Sequence, residues 1–167
     1  IHVSALALSN VKDSKYALSK IEGEKKIREI LPNASIIKPS LVYSVDDNFT
    51  TRFMSLLGLM PFFPLYYNGS TKFTPVHATD VAEVICHIIS KEIYSKDIEV
   101  IGPEVLSFKD IMIKIMNSVN KKRILIKMPL FVAKISASFL EILPNPLITK
   151  DQLNLLKYDN VKSYNGI

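Results

Sequence analysis

Hydrophobic and polar positions follow first a strand period and then a helix period along the first forty residues. The apolar segment 1–6 predicts a short strand, and a polar stretch follows it. Ser14 is a helix-capping residue, and apolar positions spaced among Lys and Glu predict a helix that ends near Ile30. A second strand is predicted over 34–37, and Pro39 ends it. This order predicts a βαβ unit with parallel strands and a right-handed crossover.

Shorter elements are predicted after this unit. Amphipathic patterns and capping residues predict further helices over 49–59, 79–90, 107–119, 129–143 and 150–156. Extended segments are predicted at 72–76, 98–101 and 123–126. A loop is predicted over 41–47, and the stretch 60–68, rich in Pro and aromatic residues, is expected to lack regular structure. We interpret that stretch as core or cavity lining, with an apolar docking surface for a partner or membrane as the alternative.

The composition favours a packed protein with an ordinary charged surface. The chain has 167 residues, of which 48% are apolar and 22% charged, so we expect one domain, or part of one, with a core. The net charge is +5, but the densest basic run, 121–123, holds only three residues. Scattered Lys residues indicate a solvated surface rather than a nucleic-acid or anionic-membrane patch.

Cysteine and histidine contents argue against disulfide and metal chemistry. Cys86 is the only cysteine, so an internal disulfide and a cysteine-based zinc site are excluded, and a reducing, cytoplasmic compartment fits best. Its place in the apolar run 81–89 predicts a buried structural thiol. No two histidines have metal-ligand spacing, so we expect no metal site.

Neither the start of the sequence nor its apolar runs have the pattern of a targeting or membrane segment. The longest apolar run, 129–143, includes Lys134 and Glu141 and is too short to span a bilayer, so no transmembrane segment is expected. The chain opens on Ile1 rather than Met and has no signal-peptide pattern, which we interpret as a fragment of a longer protein.

Tyr16 and Lys20 form the first arrangement that could carry chemistry. Their i, i+4 spacing places both side chains on one face of the predicted helix. An ammonium beside a phenol favours the phenolate, so we expect a lowered pKa at Tyr16 and a role as general acid or base. The same spacing recurs at Tyr158 and Lys162, which shows that spacing alone proves little. Only Tyr16 follows a strand that ends at Ser4, whose hydroxyl could polarise the same substrate oxygen.

Other polar positions are better explained by local structure. Asp46 and Asp47 form an adjacent carboxylate pair, for which a turn or a helix cap is favoured over joint acid–base work. His77 precedes a predicted helix start, which favours a local hydrogen bond. His87 is expected on the polar side of that helix.

Short motifs are spread along almost the whole chain: HVSAL at 2–6, SKYALSKIEGE at 14–24, KPSLVY at 38–43, FTPVHATDVAE at 73–83 and GPE at 102–104. Together they resemble the extended or atypical branch of the short-chain dehydrogenase/reductase superfamily, which includes NAD-dependent sugar epimerases and dehydratases. The endings PLITKDQL at 146–153 and DNV at 159–161 are similar to the Rossmann-type accessory subunits of respiratory complex I and their alphaproteobacterial relatives.

The resemblance implies roles for particular residues. Ser4, Tyr16 and Lys20 would match the catalytic Ser, Tyr and Lys of the superfamily, with Lys20 on the nicotinamide ribose. The residues that the resemblance implies for binding NADP or NAD are Ser4, Ala5, Tyr16, Lys20, Pro39, Ser40, Leu41 and Val42. Of these, the segment 39–42 would lie against the nicotinamide, and residues 74–80 would border the substrate or a subunit.

The fold that the resemblance implies is α/β: the C-terminal half of a Rossmann-like parallel sheet with helices, plus a small mixed α/β substrate or interaction region. Residues 1–45 would end the dinucleotide-binding domain. Residues 46–167 would form the mixed region, with a return strand and helix to the sheet. None of the five glycines has the spacing of the family's Gly-x-x-Gly-x-x-Gly turn, which holds the pyrophosphate, so this segment is expected to need a front half to hold a dinucleotide.

Two functions follow from the resemblance. The first is an NAD(P)-binding accessory or assembly subunit of respiratory NADH:ubiquinone oxidoreductase, which holds its cofactor structurally and contacts respiratory subunits at the membrane face. The second is an active NAD(P)-dependent reductase or nucleotide-sugar epimerase/dehydratase that uses Tyr16 as acid or base. Either protein would be cytoplasmic, or peripheral on the inner face of the membrane, without a nucleic-acid partner.

Overall fold

The computed structural model describes residues 1–129, 131–133, 135 and 149–162. The strands are β1 (His2–Val3), β2 (Ile36–Pro39), β3 (Val42–Tyr43), β4 (Phe62–Leu65), β5 (Lys72–Phe73), β6 (Val76–His77), β7 (Asp97–Val100), β8 (Leu106–Ser107) and β9 (Ile124–Lys127). The helices are α1 (Lys15–Ile30), α2 (Asn48–Leu59), α3 (Ala78–Ser90), α4 (Phe108–Ser118) and α5 (Lys150–Leu155), with 3₁₀ turns at Leu8–Asn10 and Tyr66–Gly69. The helix predicted over 129–143 lies largely outside the described residues.

The described residues divide by their contacts into two compact units. The first unit comprises Ile1–Tyr43, Phe73–Val105 and the tail from Asn160. The second comprises Ser44–Lys72 and Leu106–Asp159.

A parallel sheet forms the centre of the first unit. Its strands lie in the order β1–β2–β7, and α1 connects the first two. Val3 is opposite Ile37, and Ile37 is opposite Ile98, so the middle strand is hydrogen-bonded on both sides. The predicted βαβ order with parallel strands is thus confirmed.

Local sequence signals set the two helices of this unit. The Ser14 hydroxyl caps α1 by accepting the backbone N–H of Ala17 at 3.2 Å, and both side chains are fully buried. On α3, Val81 and Ile88 are spaced by two helical turns and point into one cluster. The buried members of that cluster on strands are Ile37, Val76 and Val100.

Aromatic side chains form the centre of the second unit. The ring of Phe53 lies 4.7 Å from that of Phe49, 5.4 Å from Phe63 and 5.7 Å from Phe108, centroid to centroid, in edge-to-face contacts. Strands β4 and β9 pair in parallel beside this cluster.

Two predictions about these elements are wrong. Residues 62–65 form strand β4 although a Pro-rich irregular segment was expected, because Phe63 and Leu65 are buried and the segment pairs with β9. Pro64 is tolerated because, among the described residues, β4 has one partner strand and is therefore an edge strand. Cys86 is exposed rather than buried, since it lies on the side of α3 opposite the inward-facing Val81 and Ile88.

Two smaller differences concern element boundaries. The predicted loop 41–47 includes the short strand β3, which pairs with β6. The helix predicted from residue 79 begins at Ala78, with His77 as its cap.

Candidate functional site

The first turns of α1 place Tyr16 beside Lys20. The Lys20 ammonium lies 6.0 Å from the centroid of the Tyr16 ring, as their spacing on the helix predicts. The same ammonium donates to the carbonyl oxygen of Val3 at 3.4 Å. Lys20 therefore connects α1 to the end of β1, next to Ser4.

Tyr16 is not the activated phenol that the sequence predicts. Burial raises its pKa above the ordinary value of 10.0, because a half-buried phenolate loses hydration. The expectation of a lowered pKa at Tyr16 is therefore wrong, and the Lys20 ammonium lies 6.0 Å from the centroid of its ring. At neutral pH Tyr16 keeps its proton and can donate a hydrogen bond.

Ser4 is buried, and its hydroxyl is already engaged. Its backbone N–H donates to Ile37 at 2.8 Å, which holds the residue at the end of β1. Its hydroxyl donates to a carboxylate oxygen of Glu24, and the other oxygen of Glu24 lies 3.0 Å from the Lys38 ammonium. A hydroxyl has one proton, so the donor that the superfamily would direct at a substrate is directed here at α1.

A chain of charges continues from Glu24 across the sheet. The Lys38 ammonium also lies 2.8 Å from Asp97, which in turn pairs with Arg28. Partial burial lowers the pKa of Lys38, but hydrogen bonds and charges from Asp97 and Glu24 outweigh it and raise the pKa overall. Partial burial raises the pKa of Asp97, but its bonds with Lys38 and Arg28 outweigh this and lower it. Each charge is thus stabilised by opposite neighbours.

The loops after β1 and β2 lie side by side at the carboxyl edge of the sheet. The Leu6 N–H donates to the Pro39 carbonyl at 2.9 Å, and the Ser40 N–H donates to the Val100 carbonyl at 2.9 Å. The predicted cofactor-binding residue Ala5, adjacent to Leu6, is half-buried. These bonds bring the segments that hold Ser4–Ala5 and Pro39–Ser40 together.

The remaining predicted cofactor residues continue along β3. The Leu41 carbonyl accepts the N–H of Val76 at 2.9 Å, and Val42 is paired with Val76. The next pair, Tyr43 and His77, makes an edge-to-face ring contact with centroids 5.2 Å apart. The whole predicted segment 39–42 is therefore fixed by its backbone bonds.

Asn160 holds this edge together, and in the sequence it is part of the DNV motif at 159–161, to which no role in the site was assigned. Its side-chain amide donates to the Leu6 carbonyl at 2.8 Å, and its side-chain oxygen accepts the Ser40 hydroxyl at 2.6 Å. Its backbone carbonyl accepts the N–H of Thr74 at 3.3 Å. Sequence separations of 120 and 154 residues explain why no local signal reveals these contacts.

Two local predictions are confirmed. Asp47 caps α2 by accepting the N–H of Thr50 at 2.6 Å, which favours a cap over a catalytic carboxylate pair. His77 Nδ1 accepts the N–H of Thr79 at 3.3 Å at the start of α3.

Two searches of the described residues gave further findings. No three His, Cys, Asp or Glu side chains in that part of the chain are arranged to hold a metal ion. Within the same residues, no helix has both the length and the apolarity needed to cross a membrane.

Comparison with curated proteins identifies relatives in respiratory complexes. The chain is 34% identical over 164 residues to NADH dehydrogenase (ubiquinone) 1 alpha subcomplex subunit 9, mitochondrial, of Dictyostelium discoideum, covering 95% of this chain and 46% of that protein. It is 28% identical to the protein of the same name from Arabidopsis thaliana, over 100% of this chain and 44% of that protein. The chain thus spans less than half the length of these relatives. No family model matches the sequence.

Two solved structures illustrate the fold that this chain shares. A dTDP-4-dehydrorhamnose reductase from Clostridium acetobutylicum superposes with a TM-score of 0.65 at 14% identity, covering 94% of this chain and 63% of that one. The corresponding reductase from Bacillus anthracis, solved in complex with NADP, has a TM-score of 0.64 at 17% identity and covers 76% of this chain and 50% of that one. At these identities the likeness establishes the fold. The chain is therefore homologous, over 95% of its length, to part of the alpha subcomplex subunit 9 of NADH dehydrogenase (ubiquinone), and it has a Rossmann-like α/β fold.

Proposed function

We propose that this chain is part of an accessory or assembly subunit of respiratory NADH:ubiquinone oxidoreductase, which binds NADP or NAD and holds it structurally. The homology to subunits that carry this name supports the association, because it extends over 95% of the chain. The bond from Ser4 to Glu24 is the observation that carries the structural, rather than catalytic, role of the cofactor.

The residues at the carboxyl edge of the sheet fit the nicotinamide half of a dinucleotide. Ligands of open α/β sheets bind beyond the carboxyl ends of the strands, where Ser4, Ala5 and the segment 39–42 lie. The Lys20 ammonium, held at the end of β1, would donate to ribose hydroxyls. The pyrophosphate needs a glycine turn that these 167 residues do not contain, so we assign it to another part of the protein.

A bound nicotinamide supplies a hydride when a carbonyl acceptor is activated next to it. Ser4 and Tyr16 of this chain would normally provide that activation. The Ser4 hydroxyl instead donates its hydrogen bond to Glu24, so one of the two donors is not directed at the acceptor. One missing hydrogen-bond donor of this kind typically lowers a rate by about a hundredfold to a thousandfold. These features favour retention of the dinucleotide over turnover.

The partners proposed for this protein are other subunits of the same respiratory complex at the membrane. The names of the homologues support this, and we place the protein peripherally on the membrane that carries the complex. Contacts to neighbouring subunits would then be made by surface residues of both units.

A second function is an active NAD(P)-dependent reductase or nucleotide-sugar epimerase/dehydratase. The observation that favours it is the Tyr16–Lys20 pair, which keeps its spacing on α1 and reaches the end of β1. In this alternative Tyr16 would donate its proton to a substrate oxygen.

The two functions are separated by the fate of a bound dinucleotide. The natural full-length protein is purified, its nucleotide is identified after denaturation, and the reduced form is then followed by absorbance with sugar-nucleotide and quinone acceptors added. The proposal predicts retention without oxidation over many minutes. Oxidation that is lost in Tyr16→Phe would establish the enzyme, and absence of any nucleotide would remove both functions.

A further inference from the structure

Asn160 is the only residue of the described tail whose side chain reaches two loops of the sheet's carboxyl edge. Its amide nitrogen donates to the carbonyl of Leu6 at 2.8 Å, in the loop after β1. Its amide oxygen accepts the hydroxyl of Ser40 at 2.6 Å, after β2. One side chain therefore uses its donor in one loop and its acceptor in the other.

The groups that Asn160 contacts are buried, so these hydrogen bonds belong to the interior of the fold rather than to its surface. Leu6 is 0% exposed, Ser40 5% and Thr74 3%. The Asn160 carbonyl oxygen lies 3.0 Å from the Ser40 hydroxyl oxygen, and it accepts the Thr74 N–H at 3.3 Å. An isolated parallel β-bridge between Asn160 and Phe73 also connects the tail to β5.

We propose that Asn160 is a positioning residue of the dinucleotide site, which fixes the loops after β1 and β2 from the C-terminal tail. This inference rests on the proposed function, because those loops are the ones assigned to the nicotinamide end. Asn160 acts through Leu6 and Ser40 and does not itself touch the dinucleotide. The geometry of Ala5 and of Pro39 then depends on a residue more than a hundred positions away.

Linkage makes this role reciprocal. If the docked tail favours the conformation that binds nicotinamide, a bound dinucleotide must favour tail docking by the same factor. Occupancy of the site would then be transmitted to residues 160–162, which belong to the first unit. A purely structural role for Asn160 predicts no such dependence on the ligand.

The test compares dinucleotides with probes that lack nicotinamide. Dissociation constants are measured by calorimetry on the natural full-length protein, first for NADPH and NADH. The preferred dinucleotide is then compared with ADP-ribose or its 2′-phosphate, whichever matches it. The variants are Asn160→Ala and Ser40→Ala, and the matched control is Lys162→Ala, an exposed tail position.

We expect Asn160→Ala to weaken dinucleotide binding by about tenfold, in line with the loss of one or two hydrogen bonds to buried groups. The dissociation constants of the probes without nicotinamide should differ by less than about twofold between the wild type and this variant. Asn160 fixes the loops assigned to the nicotinamide end, and these probes lack that end. Ser40→Ala should give the same pattern with a smaller loss of dinucleotide affinity. This second variant keeps the test decisive if Asn160→Ala folds poorly. Lys162→Ala should change neither affinity.

Hydrogen exchange supplies the second readout. The dinucleotide should slow exchange of the backbone N–H groups of residues 160–162 in the wild type, and much less in Asn160→Ala. An unchanged dinucleotide affinity in both variants, an equal loss for the probes without nicotinamide, or no protection of the tail would overturn the role of Asn160. A wild-type protein that binds neither dinucleotide would overturn the proposed function, and this inference with it.

Discussion

The hydroxyl of Ser4 donates to the carboxylate of Glu24, which lies 20 residues further along the chain on α1. The same carboxylate lies 3.0 Å from the ammonium of Lys38 on the central strand. The serine for which the resemblance implies a role toward the substrate is thereby bonded to Glu24 of the adjacent helix. This contact connects the end of β1 to α1, and it supports the proposed lack of turnover.

The Ser4–Glu24 contact is testable without any ligand. In a double-mutant cycle of Ser4→Ala and Glu24→Gln, we expect a coupling free energy of about 1.5 kcal/mol, because the acceptor is charged and the hydroxyl is buried. Urea unfolding of the two single variants and the double variant measures it. Additive effects would show that the two side chains do not interact.

The phenol of Tyr16 should ionise at a pH above its ordinary value of 10.0, because burial disfavours the phenolate. The difference in ultraviolet absorbance between the wild type and Tyr16→Phe, followed during an alkaline titration, isolates this one phenol. A midpoint below 10.0 would mean that Lys20 activates it as in an acid–base enzyme. Lys20→Met is the matched control, since it removes the ammonium and leaves the helix.

Asp97 should make the fold more sensitive to acid. Partial burial raises its pKa, but bonds from Lys38 and Arg28 outweigh this and hold the folded-state pKa below 3.8. The unfolded chain therefore binds this proton more readily, so the stabilisation is present above pH 3.8 and is lost as pH falls through the folded pKa. The free energy of unfolding should fall less steeply below pH 3.8 in Asp97→Asn than in the wild type. If the free energies of unfolding of the two proteins fall equally as the pH is lowered, the ion pairs of Asp97 are contradicted.

Gly102 should tolerate no side chain. A Cβ atom there would lie 1.7 Å from the carbonyl oxygen of Pro75, so the backbone would have to move. We expect Gly102→Ala to lower the free energy of unfolding by about 3 kcal/mol, as for other overpacked positions. Gly58→Ala is the matched control, because a Cβ in that helix meets nothing within 4 Å and should stabilise by about 0.5–1 kcal/mol. A small change in the free energy of unfolding of Gly102→Ala would contradict the close approach of Gly102 to the Pro75 carbonyl.

The elements that were predicted from the sequence are those with local causes. Ser14, Asp47 and Thr149 cap helices through backbone groups three residues away, and such signals lie within a few positions of each other. Strand β4 was missed because its pairing with β9 is non-local and overrides the presence of Pro64. Helical period, rather than the apolar content of its run, decides that Cys86 is exposed.

The sequence proposes Ser4, Tyr16 and Lys20 as site residues through their motifs, and their joint role stays a prediction. In the structure the Lys20 ammonium lies near the Tyr16 ring and donates to the carbonyl of Val3, the residue before Ser4. Glu24 and Asn160 are ordinary polar residues in the sequence, and only the folded contacts make them partners of Ser4 and Ser40. The pKa of Tyr16 was predicted in the wrong direction because a sequence shows neighbours but not burial.

The most direct test of the account is purification of the tagged natural protein from its own membranes in mild detergent, with identification of both the nucleotide and the co-purifying proteins. The account predicts core subunits of NADH:ubiquinone oxidoreductase in stoichiometric amounts, together with one NADP or NAD per protein that added acceptors do not oxidise. Recovery of the protein without those subunits, combined with a nucleotide that turns over, would contradict it.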